Sequence, residues 1–593
     1  MKEFFKYMLA TIAGIVVMTI IGFVLMMMVV GALMSTAEKQ VLVHDHSMLV
    51  LKLDNQIVDR APKDPFSDLN IPGLEQAKKM GLDDILSAIA KARDDDRIKC
   101  IYLDLSVINA GMATVEEIRN ALKAFADSSD KPVYAYSNMY DQKAYYLATA
   151  ADKVVLHPQG GIDFRGLGGE VTFYKKALEK LGVNPQIIRH GKFKAAVEPF
   201  MLEKMSNENR EQVMVYLNNI WAHMLKAISE KRGIPIDSLN RLADKVMTFR
   251  KGEQALAAGL VDTIYFKDQL LDDLRKITGS TSTKGIPPCV TVADYTKVPV
   301  KKTVKKGTYS RNKIAVIYAS GEIGSMEGSD GINGEKLARE IRKVRQDSSY
   351  KAIVLRIDSP GGSAFDSEVI WREVKLAAGE KTVVASFGDL AASGGYYIAC
   401  AADKIVAQPN TITGSIGIFG IIPDASELLN DKLGITTDVV KTNQHSDIPS
   451  FTRPMNSFEI NLLQEYIEEG YSLFVSHVAD GRKMDWTEVD AIGQGRVWTG
   501  ENALKIGLVD QLGGLEDAVK LAAEMAGIEH YRIVKLPELP DPLTELLKGQ
   551  TVDIRTWFLK RELGENWKYF EQVQKLQRMK GLYARLPYDP KIY

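Results

Sequence analysis

Apolar positions follow two patterns along this chain, and each predicts a different part of it. From Tyr7 to Met34 they form one run of 28 residues without a charge. As a helix this run spans about 42 Å at 1.5 Å per residue, enough to cross a ~30 Å hydrocarbon core. A cleaved secretory leader carries an apolar stretch of only about 7–15 residues. The run therefore predicts an uncleaved transmembrane anchor within residues 1–37. Lys2 and Lys6 precede the span, and Glu38 and Lys39 follow it. The positive-inside rule then puts the short N-terminus in the cytoplasm and the remainder of the chain outside.

Beyond the anchor, short β-branched runs alternate with helical patterns. KAIVLRID (351–358) predicts a buried strand, DSEVIWREVKLAA (366–378) a helix and KTVVASF (381–387) a second strand. AASGGYYIACAA predicts a helix opened by glycine, and DKIVAQ a further strand. Strands alternating with helices imply βαβ crossovers and a mostly parallel sheet, so the fold class is α/β.

The pattern occurs twice. YYLATAADKVVLHP (145–158) matches YYIACAADKIVAQP (396–409) at nine of fourteen positions, and GEQALAAGLVD (252–262) matches GENALKIGLVD (500–510) at eight of eleven. SMLVLKLDNQI at 47 pairs with NKIAVIYASGEI at 312, CIYLDL at 100 with AIVLRID at 352, and LGVNPQIIR at 181 with LGITTDVVK at 433. Matches that keep one order along the chain, at offsets of 248 to 265, mark an internal duplication. The expected organisation is a cytoplasmic stub and anchor (1–37), a first repeat (38–297), a polar basic linker (298–313), a second repeat (314–540) and a C-terminal extension (541–593). The extension holds amphipathic stretches at DIRTWFLKREL and FEQVQKLQRM, expected to pack on the chain's own domain, with a neighbouring subunit or the membrane surface as alternatives.

Composition narrows the function. Of the 593 residues, 46% are hydrophobic and 25% charged, an ordinary globular balance. Lys plus Arg is 75 against 76 for Asp plus Glu, so the basic excess of a nucleic-acid binder is missing. Three cysteines form neither a disulfide framework nor a CxxC metal pair. His44 and His46 on an extended strand would point to one side, but no third ligand accompanies them, so no metal site is expected.

Chemistry concentrates in a few turns. Ser393 lies in DLAASGG, between a strand and a helix, where helix-start N–H groups favour developing negative charge. Most serines in such turns are helix caps, and that reading stands beside the nucleophilic one. Gly394 and Gly395 there let a substrate backbone approach closely. DSPGGS (358–363) follows another strand, and Gly361 and Gly362 there can turn backbone N–H groups into a cleft. A plain strand-to-helix turn would use the same residues. At the equivalent places the first repeat has Gln142 for Ser393 and Lys143 for Gly394, so it cannot hold a second copy of the site. It does hold Lys194, in RHGKFKAAVEPFM, amid Phe193, Ala195, Ala196, Val197 and Phe200. A lysine acts as a general base only when neutral, and burial favours that form. One repeat thus offers a serine and the other a candidate base. His190 is an alternative base. Cys400 reads as core, and Asp152 with Asp403, like Asp262 with Asp510, as structural pairs shared by both repeats.

SPGGS, AASGGYY, TGSIG and GKFKAAVEPF, with the anchor and both repeats, resemble the signal peptide peptidase A (protease IV) family in its long, tandem-repeat, membrane-anchored form. The resemblance implies two tandem ClpP/crotonase-like domains and a Ser/Lys dyad, with Ser393 as nucleophile and Lys194 as base. It further implies that Ser415 of TGSIG orients the lysine, and that backbone N–H groups of Gly361 or Gly362 and of Gly394 hold the oxyanion. It implies no cofactor and a homo-oligomer, usually a tetramer. The expected substrates are signal peptides and other hydrophobic peptides. The expected location is the bacterial inner membrane, the anchor in the lipid bilayer and the repeats on the periplasmic side. Two rival readings are a crotonase-type acyl-CoA enzyme, opposed by the outside location, and a catalytically silent scaffold.

Overall fold

The computed structural model describes residues 2–37, 41–62, 79–281, 285–299, 310–324, 331–539 and 583–585. Most of the linker and both amphipathic stretches of the C-terminal extension lie outside the described residues. The first element is a helix, Lys2–Ala37, whose apolar side chains from Tyr7 to Val24 are exposed. Within it, Lys6–Val24 is long and apolar enough to cross a membrane.

Each repeat is built on a mostly parallel sheet. In the first, the strand order is Thr263–Ile264, Lys153–Ile162, Val133–Tyr140, Ile98–Asp104, Ser47–Lys52 and Cys289–Thr291. In the second, Val497–Thr499, Ile412–Gly414, Thr382–Ala392, Tyr350–Ser359, Lys313–Ser320 and Arg532–Leu536 follow one another, with Lys404–Ala407 and Gln511–Leu512 joined beside Thr382–Ala392. Helices cover the faces, so the central strands bury side chains on both sides, as Ile353, Val354, Leu355 and Ile357 do. Each such side chain contributes about 1.5–3 kcal/mol by leaving water.

The shared aspartates explain why the two copies keep the same frame. Asp152 accepts the Val133 N–H at 2.8 Å, and Asp403 accepts that of Val383 at 2.8 Å. Asp262 accepts the Val154 N–H at 2.7 Å, and Asp510 that of Ile405 at 2.8 Å. All four satisfy strand-entry amides that the ladder leaves over.

The repeats are clasped by polar contacts and by one shared ladder. Arg356, fully buried in a central strand, meets Asp59 at 3.0 Å and Glu117 at 2.7 Å, both from the first repeat. Asp389 accepts from the Thr114 backbone N–H at 2.9 Å and from its hydroxyl at 2.6 Å. Asn184–Arg189 of the first repeat pairs antiparallel with Phe419–Asp424 of the second, from Arg189 opposite Phe419 to Asn184 opposite Asp424. The same small sheet continues through a tail strand, Tyr583–Arg585, to Gly361–Ser363.

Candidate active site

Two parallel strands end side by side and deliver the two serines. Ala392 pairs with Gly414, so Ser393 and Ser415 leave the sheet at the same level. Both turn sharply, with φ of 55° and 52° in the left-handed region. Non-glycine residues adopt that conformation at a cost of about 1–3 kcal/mol, and it recurs where a side chain is aimed for chemistry. The Ser393 N–H donates to Gly414 O at 2.8 Å, and the Ser415 N–H to Arg496 O at 2.7 Å, which fixes both turns.

Lys194 comes from the other repeat. The shared ladder ends at Arg189, and a tight turn follows. There the Lys194 N–H donates to Gly191 O at 3.4 Å and the Phe193 N–H to Gln494 O at 3.0 Å. The lysine side chain enters the second repeat and is fully buried. Its Nζ lies 2.8 Å from Ser393 Oγ, 3.1 Å from Ser415 Oγ and 3.1 Å from Ser415 O. Ser393 and Ser415 are equally buried. Burial alone holds the Lys194 ammonium well below the ordinary lysine range, since among the described residues no carboxylate offsets the lost hydration.

Residues that the sequence motifs did not single out hold this arrangement. Gly495 lies so close that a Cβ on it would sit 2.6 Å from Lys194 Cβ, and its φ of 79° also favours glycine. Gln212, buried in the helix Asn207–Arg232, donates to Phe193 O and accepts from the Val497 N–H, each at 3.1 Å. It ties the lysine turn to the strand that pairs with Ile412–Gly414. A polar residue amid the apolar positions of QVMVYL was the only local sign of it.

The glycines divide. Gly362 passes so near the backbone that a Cβ would meet Ile323 O at 2.0 Å. Gly361 has φ of 97°, and its N–H donates to Ser359 Oγ at 3.2 Å, so that group is already engaged. Gly394 opens the helix Gly394–Ala399 directly after Ser393.

The remaining sequence candidates fall outside this cluster. Gln142, the counterpart of Ser393, donates to Gly166 O at 2.9 Å and accepts from the N–H groups of Arg165 and Gly166. His190 stacks on Tyr471 with ring centres 3.8 Å apart and hydrogen-bonds Glu468. Cys400 is buried, donates to Tyr397 O, and has its thiol pushed up to about 12 by desolvation. His46 corrects the extended reading of HDHS: it sits in a turn with φ of 63°, its Nδ1 2.6 Å from Thr278 O. The turn breaks the alternation that would have placed both imidazoles on one side.

Comparison with known proteins adds the following. Peptidase family S49 matches the chain twice, over residues 126–280 and 375–529. Protease 4 of Haemophilus influenzae is 35% identical over 85% of this chain and 83% of its own length. Protease 4 of Salmonella typhi is 38% identical over 81% and 78%. A chloroplastic serine protease SPPA of Arabidopsis thaliana is 33% identical over 84% and 72%.

Proposed function

Because the chain belongs to peptidase family S49 and is a serine peptidase, we propose that Ser393 is its nucleophile and Lys194 its general base. The carrying observation is the 2.8 Å contact between Lys194 Nζ and Ser393 Oγ, made from opposite repeats with both residues buried. A neutral amine has two N–H groups and one lone pair. Ser415 offers two acceptors, Oγ and O, for the N–H groups, which leaves the lone pair for the Ser393 hydroxyl. Ser415 is thus the orienting residue.

The steps follow. Ser393 Oγ forms a bond to the substrate carbonyl carbon as its proton passes to Lys194 Nζ. The carbonyl electron pair moves to oxygen, where the N–H groups of Gly362 and Gly394 receive it; Gly361 shapes the turn. The C–N bond then breaks, and the leaving amine takes the proton from Lys194. Water attacks the acyl carbon while giving a proton to Lys194; the bond from that carbon to Ser393 Oγ then breaks, the carboxylic acid product leaves, and Ser393 Oγ takes the proton back from Lys194.

The substrate reading is a hydrophobic peptide in extended form, cleaved signal peptides included. It is supported by the slot between Gly361–Ser363 and Phe419–Asp424, which takes one antiparallel strand and here holds Tyr583–Arg585. A peptide added there gains ladder hydrogen bonds whatever its sequence. The slot adjoins the serine, since Ser393 Oγ lies 3.5 Å from Gly417 O, two residues before Phe419. The N-terminal apolar helix supports anchoring in the bacterial inner membrane, and the positive-inside rule supports repeats on the periplasmic side. The family resemblance supports a homotetramer.

The test is cleavage of a quenched, leucine- and alanine-rich peptide by the full chain in detergent, beside Ser393→Ala. Activity lost in the variant, with the fold retained, is the expected result. Activity that survives moves the nucleophile elsewhere.

A further inference from the structure

One short loop seats both Lys194 and Ser415 beside the Ser393 hydroxyl. Residues 493–496 follow the helix Trp486–Ile492. There Gln494 O accepts the Phe193 N–H at 3.0 Å, and Arg496 O accepts the Ser415 N–H at 2.7 Å. The stem of Lys194 runs between this loop and Gly417. A Cβ on Gly495 would meet Lys194 Cβ at 2.6 Å, and one on Gly417 would meet Lys194 Cδ at 3.2 Å. A Cβ on Gly191, at the start of the lysine turn, would meet Gln494 O at 2.5 Å. Where the loop sits therefore sets where Lys194 Nζ reaches.

The loop needs a hold, because its backbone is strained. Gln494 has φ of 53°, in the left-handed region, although it carries a full side chain. Such a conformation persists only where its surroundings fix it. Tyr471, in the middle of the helix Ser457–Arg482, supplies the fixing contacts. Its hydroxyl accepts the Gln494 backbone N–H at 3.2 Å and donates to Asp490 Oδ1 at 2.5 Å. The Gln494 side chain donates to that same oxygen at 2.5 Å. Tyr471 is buried, and His190 stacks on its ring, itself hydrogen-bonded to Glu468. His190 thus joins a network that couples the helix, the loop and the lysine turn.

We infer that the Tyr471 hydroxyl is a positioning group for Lys194, acting through Gln494 and Gly495. This inference rests on Lys194 being the base. Without the hydroxyl, the Gln494 amide loses its acceptor and the loop relaxes from its left-handed turn. Lys194 Nζ then shifts against Ser393 and Ser415, and water gains access to it. The proposed peptide slot is built on other segments, Gly361–Ser363 and Phe419–Asp424, so substrate binding keeps its frame. The loss falls on kcat rather than KM. The ammonium, better solvated, also gives up its proton at higher pH. Around the turn, Arg189 donates to Lys194 O, Lys192 and Arg496 lie over the Phe193 ring, and Glu211 pairs with Arg496. Tyr471→Phe keeps all of these groups, with His190, Glu468 and Asp490, so a moved acid limb reports Lys194.

The test measures cleavage of the quenched leucine- and alanine-rich peptide by the full chain in detergent across a pH series. Tyr471→Phe keeps the ring that His190 stacks on. It is expected to lower kcat about tenfold to a hundredfold, since a misplacement of about 1 Å costs about a hundredfold, with KM held. The acid limb of kcat is expected to move to higher pH. Asp490→Ala, at a half-buried position, takes away the acceptor of the hydroxyl and should act in the same direction, which keeps the test open if Tyr471→Phe does not fold. Val475→Ala, buried on the same helix, is the control for lost packing, expected to lower stability with kcat and the limb unmoved. An unchanged kcat, an unmoved limb, an equal rise in KM, or the same changes in Val475→Ala would each overturn the role of Tyr471. With Lys194→Met inactive, that result leaves the dyad reading standing. Lys194→Met that cleaves as fast as the parent overturns both.

Discussion

Replacing Lys194 with methionine separates chemistry from stability, because the two respond in opposite directions. The lysine is fully buried, its Nζ surrounded by oxygens of Ser393 and Ser415, and burial alone pushes its pKa well below 10.5. In the unfolded chain the same side chain titrates at its ordinary value. Between the depressed folded pKa and 10.5, the unfolded chain therefore holds one proton more than the folded chain. Stability rises with pH across that window by about 1.4 kcal/mol per unit, the weight of one proton. Methionine keeps much of the length and carries no charge, so Lys194→Met removes that slope. The variant is expected to be more stable than the parent near neutrality, with the gain shrinking steadily and vanishing as pH approaches 10.5. Peptide cleavage should meanwhile fall by about 10²–10⁴, the usual share of a general base. Urea unfolding of both proteins at several values between about pH 6 and pH 10 reads the stability difference. Parallel stability curves would show that the lysine is charged in the folded protein, and the proposed role would fail with it.

Other outcomes follow from the same geometry. Ser415→Ala removes one of two acceptors for the lysine N–H groups and should lower kcat by about tenfold to a hundredfold, the equivalent of 1–3 kcal/mol, with KM little changed. Steady-state kinetics decide it, and an equal change in KM would point to lost packing instead. Asp358 is buried beside Asp389 and Asp59, which pushes its carboxyl from 3.8 up to about 8. The folded chain then holds the extra proton between those values, so stability falls as pH rises through them and is flat above. Asp358→Asn keeps an acceptor for the Leu390 N–H, which now bonds Asp358 at 2.9 Å, and should flatten that decline in urea unfolding at pH near 5 and near 9. Ala584→Pro disrupts the tail strand opposite Gly362 and should lower KM for added peptide, since the tail and the peptide compete for one slot. An unchanged KM would show that the tail does not occupy the slot in solution.

The parts of the candidate site legible in the sequence were those carried by local motifs. Strand-to-helix turns with glycine marked Ser393, Gly362 and Gly394, and the contrast between the copies marked Lys194, because only one repeat keeps each group. The alternation of strands and helices gave the α/β class, since burial on both faces of a parallel sheet writes itself into short runs such as KAIVLRID. Gln212 and Gly495 were not legible. Each acts on the lysine turn from far along the chain, so no spacing or period records the contact. Ser359 likewise takes up the Gly361 N–H through a side-chain contact that a turn motif does not specify. The HDHS segment went the other way: a left-handed turn at His46, stapled to the Thr278 carbonyl, replaced the extended chain that its alternation suggested.

The central claim is that one repeat activates a serine of the other, and covalent labelling tests it most directly. The full chain is treated with a fluorophosphonate that reacts with activated serines, and the modified residue is located by peptide mass spectrometry. The account predicts label on Ser393 in the parent protein and none there in Lys194→Met. Label on another residue, or equal label on Ser393 without Lys194, would contradict it.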